Sequence, residues 1–310
     1  MEAMHPTTVC GGVNIDICGK SFDPLIPVDS NPGTVRLSLG GVGRNIAHNL
    51  RLLGEPVSML TALGGDLYAK RVQEHCQSIG IDLSHARHVP EAATSTYVFL
   101  AGPDGDMAMA VCDAEIANAI TPAYLATQLP LLNQSPVVVL ETNLPSQSIR
   151  YLAEHCTAPL FADPVSVTKA EKLRGVLGQL HTLKPNKLEA ELLSGVPITD
   201  DESLERAARA LLSTGLRRVF ISLGAEGLYC AEGAQRFLCP CPETNLVNAT
   251  GGGDALMAGL VKGWLLGLSL EDTARLALAC SAIAVEGAQT INSQLSLSAA
   301  AARAEIAISI

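Results

Sequence analysis

Positive charge is in short supply in this 310-residue chain: 21 Lys and Arg stand against 31 Asp and Glu, for a formal net charge of −10. Such a surface repels a phosphate backbone, so a nucleic-acid polymer is not an expected partner. An anionic small molecule must instead be held by a local trap of amides and cations. No uncharged apolar run reaches the length of a membrane span, so no membrane partner is expected. Met1–Thr8 has no basic stretch followed by an apolar one, which predicts no signal peptide. The nine cysteines are odd in number and contain no CxxC pair. Cys239 and Cys241 are separated by Pro240 and lack a second pair to complete a ligand set. They read as buried, reduced thiols of a cytoplasmic protein rather than as a disulfide or zinc framework. Internal repeats and low-complexity linkers are missing too. With 48% hydrophobic and 17% charged residues, disorder is excluded and a sizeable core is within reach.

What is there alternates. Val9–Cys18 reads as one buried strand, Gly43–Leu53 as a helix stopped by Gly54, Val57–Thr61 as a strand and Asp66–Ile79 as a helix ending at Gly80. Phe22–Leu39 and the pair Thr96–Ala101 and Met107–Val111 have the turn residues and alternation of hairpins. From residue 137 onward short apolar strands (Val137–Leu140, Leu160–Ala162, His181–Leu183, Val219–Ser222) interleave with helical stretches (Ser146–His155, Lys169–Leu180, Lys187–Leu193, Ser203–Ser213). Further helices follow at Ala255–Leu266, Leu270–Glu286 and Ser298–Ile306. This pattern predicts an α/β fold: a doubly wound, mainly parallel sheet flanked by helices, with a small β-sheet lid.

Two nucleotide motifs fail. Gly19-Lys20-Ser21 resembles the end of a Walker A loop, but the required earlier glycine falls at Asn14. Gly41-Val42-Gly43 begins a dinucleotide fingerprint that breaks at Ile46. Four other segments carry chemistry. Asn248-Ala249-Thr250-Gly251-Gly252-Gly253-Asp254 opens a helix. Its glycines let backbone N–H groups turn inward as an anion hole, and Asp254 can take the proton of an attacking hydroxyl; the segment also reads as a plain Gly-rich turn capped by Asp. Asn186 and Glu189 share a helical face and offer oxygens suited to Mg²⁺ through water; the same spacing is that of a capping box. Ser222-x-Gly224-x-x-Gly227 lets a nucleotide phosphate approach the backbone, or is an ordinary turn. Asn14 and Asp16 point to one side of a strand. There a carboxylate can accept from two sugar hydroxyls, with Asn45 of Gly40-Gly41-Val42-Gly43-Arg44-Asn45 adding a third partner.

In this order and spacing the four segments resemble the ribokinase-like (PfkB-type) sugar and nucleoside kinases over essentially the whole chain. The resemblance implies a single kinase domain spanning residues 1–310, with a lid formed by about 19–39 and 95–112. It implies ATP and Mg²⁺, often with a monovalent cation such as K⁺, and a small sugar or nucleoside as partner. Asp254 would be the base, and Gly251, Gly252 and Gly253 the anion hole. Asn186 and Glu189 would organise Mg²⁺, and Asn186, Ser222, Gly224, Gly227 and Gly252 would follow the nucleotide. Asn14, Asp16, Gly41 and Asn45 would hold the sugar, with Ser30, Asn31 and Asn143 also on the substrate. Lid sheets in such kinases often pair into homodimers. The chain departs from the commoner pattern at Asn248, where Asp is usual, and at Gly252, where Ala is usual. Within the family, Asp29-Ser30-Asn31-Pro32-Gly33, Gly40–Ala47 and His181–Asn186, together with Asn248, look like bacterial pseudouridine kinases, which implies phosphorylation of the 5′-hydroxyl of pseudouridine. A ribokinase or purine nucleoside kinase is the neighbouring alternative. A non-catalytic sensor fits less well, because a sensor needs no base. A nicotinamide dehydrogenase is disfavoured by the broken fingerprint.

Overall fold

The computed structural model describes residues 5–308. Residues 1–4, part of the segment read for a targeting signal, and residues 309–310 lie outside them. Seven parallel strands form the main sheet: β1 (Thr7–Cys10), β4 (Val57–Leu60), β6 (Ile81–Asp82), β10 (Val138–Glu141), β11 (Leu160–Asp163), β12 (Thr182–Leu183) and β13 (Arg218–Ser222). An antiparallel hairpin, β14 (Leu228–Glu232) and β15 (Gln235–Cys239), extends one edge, giving the order β15-β14-β13-β12-β11-β10-β1-β4-β6. Among the described residues ten helices flank it: α1 (Val42–Leu52), α2 (Leu67–Ser78), α3 (Pro122–Gln134), α4 (Ser146–His155), α5 (Val167–Ala170), α6 (Lys187–Ser194), α7 (Asp201–Ser213), α8 (Gly252–Leu265), α9 (Leu270–Val285) and α10 (Leu297–Ala304).

Strand alternation sorts the two faces. Val9 and Val139 join a core with residues of α1, α2, α8, α9 and α10. Their neighbours Cys10, Val138 and Leu140 join a second core with α3, α4, α6 and α7. Fully buried strands of this kind read as continuous apolar runs, which is why the parallel sheet is visible in the sequence.

A second sheet of four strands has the order β3-β2-β8-β9, with β2 (Asn14–Ser21), β3 (Gly33–Gly40), β8 (Thr96–Ala101) and β9 (Met107–Asp113). The run Val9–Cys18 is therefore two strands in two sheets, parted at Gly11-Gly12-Val13. An apolar run does not reveal such a change of sheet, and only the glycines mark it. Two short strands, β5 (Ala62–Gly64) and β7 (Arg87–Val89), pair separately. The expected helix Lys169–Leu180 is also corrected. It breaks into α5, which ends at Ala170, and two short 3-10 turns. Gly175 and Gly178 inside the segment weaken a helix, and Gly178 packs so close to Thr214 that a Cβ there would sit 2.2 Å from its carbonyl oxygen. Helix α3 was not expected, although Thr121 caps it and Pro122 opens it.

Helices α1 and α8 pack on each other beside the strand ends, and a buried ion pair, Lys262 of α8 with Glu55 after α1, fixes their relation. Lys262→Met strands a buried carboxylate and is expected to destabilise the fold by about 3–5 kcal/mol. Urea unfolding checks this; a loss under about 1 kcal/mol would mean that Glu55 finds water or another partner.

Candidate active site

Three neighbouring parallel strands end in charge. Glu141 closes β10, Asp163 closes β11 directly opposite it, and Lys184 follows β12, and all three are buried. The carboxyl ends of such strands face the ligand crevice of an open α/β sheet. The Glu141 carboxylate accepts the N–H groups of Gly12 at 2.5 Å and Asn143 at 2.6 Å. It occupies the space of any side chain at Gly11, whose Cβ would lie 2.6 Å from Glu141 Oε1. Lys184 Nζ lies 3.1 Å from Asp163 Oδ2. Burial by itself would lower this ammonium, but Asp163, with Glu189 and Asp254, outweighs burial and leaves its pKa above the ordinary lysine value.

Asp254 sits in the first turn of α8. Gly251 enters the helix at φ +88°, a left-handed conformation in which a Cβ would lie 2.2 Å from the Thr290 carbonyl oxygen. No side chain caps this turn, so none competes with an anion for its N–H groups. Asn45, on α1, donates from Nδ2 to Asp254 Oδ2 at 2.8 Å. Burial pushes the half-buried Asp254 carboxyl up to about 7 from its ordinary 3.8. The negative charges of Asp163 and Glu141 add to this, and the Asn45 hydrogen bond and Lys184 oppose it.

Across the cleft, Asp16 comes from β2. Its carboxylate fills the place of a side chain at Gly40, where a Cβ would lie 2.2 Å from Asp16 Oδ2, and it accepts a hydrogen bond from the amide of Asn14. Burial raises Asp16 to about 6, opposed by Arg44 and Asn14. The space between is a cleft of about 510 Å³ lined by Asn14, Asp16, Gly41, Asn45, Asn143, Gly251 and Asp254, a size typical of small-molecule sites. Ile116, Ile120, Leu144 and Val165 give it an apolar wall. Val165 holds φ +63°, an uncommon conformation for a β-branched residue, with its N–H on Asp163 Oδ1 at 2.9 Å. Lys169 lines the cleft and donates to Asn143 Oδ1 at 2.5 Å.

A second group stands apart from that lining. Asn186 bridges to Ser222 at the ends of β12 and β13, and Gly224 and Gly227 form the turn beyond. Gly227 has φ +112°, and a Cβ there would meet the Cys239 carbonyl oxygen at 2.1 Å. Lys184 links the two groups, its Nζ lying 3.5 Å from where a Cβ of Gly253 would be. Asn186 and Glu189 close a capping box. The Asn186 N–H donates to Glu189 Oε2 at 2.8 Å, and the Glu189 N–H donates to Asn186 Oδ1 at 2.9 Å. The single side-chain oxygen of Asn186 and Oε2 of Glu189 are thus engaged with each other's backbone, and the Glu189 side chain is buried. Among the described residues no group of three or more His, Cys, Asp and Glu could hold a metal on its own.

Two expected substrate residues are not brought to the cleft. Ser30 and Asn31 lie in the exposed connection between β2 and β3 and are absent from the lining. Asn31 is spent locally: its Oδ1 accepts from the Ile26 N–H at 2.7 Å, and its Nδ2 donates to the carbonyls of Ile26 and Asp29 at 3.0 Å. The expectation that Ser30 and Asn31 lie on the substrate is corrected accordingly. Asn248 accepts from the Thr250 N–H at 2.9 Å and donates to Ala288 O at 3.3 Å, so its amide braces the loop without offering a charge. Glu141, Asp163, Lys184, Lys169 and Arg44 were missed. A charged residue closing an apolar strand was a usable signal for the first three.

The chain belongs to the pfkB family of carbohydrate kinases, whose pattern matches residues 6–297. It is a phosphotransferase with an alcohol group as acceptor. Among its relatives is the pseudouridine kinase of Escherichia coli, 37% identical over 300 residues, covering 96% of each chain. An uncharacterized E. coli sugar kinase, YeiI, is also 37% identical, over 93% of this chain and 80% of its own. An Arabidopsis thaliana ribokinase solved with ribose and ATP has the same fold, with a TM-score of 0.84 over 98% of this chain and 100% of its own at 21% identity.

A carboxyl that keeps its proton to about pH 7 in the fold but loses it near 3.8 when unfolded costs stability as pH rises between those values. Asp254→Asn is therefore expected to raise Tm at pH 8, by an amount that vanishes toward pH 4. In Asn45→Ala, loss of the hydrogen bond should move the Asp254 midpoint above 7 in a ¹³C NMR titration. An Asp254 midpoint near 4 in the parent would contradict this electrostatic account.

Proposed function

We propose that the chain transfers the γ-phosphoryl group of ATP to the 5′-hydroxyl of pseudouridine. The observation that carries the kinase chemistry is Asp254, held by Asn45 at an uncapped helix start, across the cleft from the hydroxyl-binding pair Asn14 and Asp16. The identity of the base rests on the E. coli pseudouridine kinase relative. The equal identity to YeiI supports a second reading, another sugar or nucleoside acceptor in the same cleft.

In this reading Asp16 and Asn14 grip the ribose hydroxyls, and Tyr97 and the apolar wall receive the flat base. Pseudouridine exposes one more ring N–H than uridine. The Ser95 hydroxyl donates to Asp113 O at 2.9 Å, which leaves its oxygen in the cleft as an acceptor for such a donor. Asp254 takes the 5′-hydroxyl proton as that oxygen forms its bond to the γ-phosphorus. The bond from the γ-phosphorus to the bridging oxygen breaks, and ADP leaves. The N–H groups of Gly252, Gly253 and Asp254, with Lys184 beneath them, meet the phosphoryl oxygens. The nucleotide runs along Asn186, Ser222, Gly224 and Gly227. Glu189 Oε1 would hold Mg²⁺ through water, and the ion would supply charge neutralisation to the phosphates. A monovalent cation near residue 248 would rest on backbone carbonyls, since Asn248 brings no charge. The lid role of the second sheet is part of this proposal. Its exposed Val35, Val98, Leu100, Met109 and Val111 favour pairing with a second copy. The nine thiols are free, though Cys112 on β9 and Cys241 after β15 are exposed rather than buried as expected. Free thiols suit a cytoplasmic setting, and among the described residues no helix is long and apolar enough to cross a membrane.

Two measurements test this. Asp254→Asn should lower kcat about 10²–10⁴-fold with KM values within a few-fold of the parent; turnover within a few-fold of the parent would remove Asp254 from the base role. Pseudouridine should exceed uridine and ribose in kcat/KM under matched conditions. Equal or better efficiency on either competitor would keep the kinase and overturn the choice of base.

A further inference from the structure

We propose that Arg44 is a positioning residue for Asp254: its guanidinium fixes the Asn45 side-chain amide so that the NH₂ end meets the base, and it ties that amide to the end of β3. The proposal rests on the reading of Asp254 as the base.

Arg44 is 3% exposed and absent from the cleft lining, so it acts through others. Its Nη2 donates to Leu39 O at 2.5 Å and also to Asn45 Oδ1. Nε reaches Gly40 O at 3.4 Å, and Nη1 meets His48 Nδ1 at 3.4 Å. A guanidinium has donors only, and an amide has one accepting and one donating end. The Arg44 contact therefore takes Oδ1 and sends Nδ2 to Asp254 Oδ2, at 2.8 Å. A flipped amide would set N–H against N–H at Arg44 and oxygen against oxygen at Asp254, two mismatches in a buried place.

The surrounding charges leave Arg44 without a rival. His48 on its own helix is pushed down to about 4 by burial and then by Arg44 and His75. His75, on α2, is lowered by burial and then by Arg44 and Arg71, and its neighbour Cys76 is raised to about 11 by burial. The anions near Arg44 are Asp16 of β2 and Asp254 of α8, one on each side of the cleft. The same guanidinium grips Leu39 and Gly40 at the end of β3, the strand that pairs Gly40 with Asn14 and Ser38 with Asp16. One buried cation thus relates the sugar-gripping strands to the base.

A double-mutant cycle with Arg44→Met and Asn45→Ala decides the matter, read as kcat/KM for the nucleoside at saturating ATP alongside Tm. Arg44→Met is expected to cost about tenfold or more in the parent, the worth of one charge-assisted hydrogen bond, but less than about threefold when Asn45 is already Ala. The acid limb of the pH profile should move to higher pH in Arg44→Met and Asn45→Ala alike. Equal losses in both backgrounds, or an unmoved limb, would overturn the proposal and leave Arg44 a packing residue. If Arg44→Met does not fold, Arg44→Lys keeps the buried charge without the fork and enters the same cycle under the same criteria. The Asp254 midpoint from ¹³C NMR gives a readout that needs no turnover. A parent protein inert on every sugar and nucleoside tested would end the base reading, whereas an Asp254 midpoint that is the same in the Arg44 variant and the parent would end this one.

Discussion

One buried ammonium sets the terms for everything around it. Lys184 is the cation toward which Asp163, Glu189 and Asp254 all turn, at the point where the parallel strands stop. Only Asp163 makes the direct ion pair. Glu189 and Asp254 are left desolvated and incompletely compensated, so burial drives both upward, and nearby Glu141 follows for the same reason. Asp254 alone of these combines an atom open to the cleft with a proton that moves near neutral pH, which is the condition for a general base. The shortage of positive charge seen across the chain is thus repeated in small at its centre.

The second constraint is closeness. Asp16 reaches the cleft only because Gly40 leaves its carboxylate room, Glu141 reaches the Gly12 amide only because Gly11 has no side chain, and Gly251 turns into α8 only through a left-handed backbone. These contacts pull two sheets and two helices to within hydrogen-bonding distance. The Lys262–Glu55 pair holds α8 against α1 from the far end, and the Asn45–Asp254 bond closes the near end. Stability spent on desolvating carboxylates at this junction is recovered in the apolar cores on both faces of the sheet.

Much of the parallel sheet was legible because a strand buried on both faces must be apolar throughout, as Val137–Leu140 and Leu160–Ala162 are. The residues around the cleft were legible as types at a spacing: Asp254 after three glycines, and Asn14 and Asp16 two apart. Other features turned on where the chain goes next. Nothing in Val9–Cys18 beyond two glycines says that it crosses between sheets. Nothing in Asp29–Asn31 says that its polar atoms satisfy one another away from the cleft. Asn186 and Glu189 carried two meanings at one spacing, and the capping box is formed. Arg44 does not stand out within Gly40–Asn45, because its partners, two carbonyls and an amide, leave no trace in composition.

The central claim is that the charge balance around Lys184 and Asp254 serves phosphoryl transfer to a primary hydroxyl rather than to water. ³¹P NMR of the products formed from ATP and pseudouridine tests it most directly. The account predicts ADP together with a phosphomonoester whose phosphorus couples to the two 5′ protons of the nucleoside, in one-to-one yield. ADP accompanied by inorganic phosphate alone, or a phosphate coupled to a secondary ring position, would contradict it.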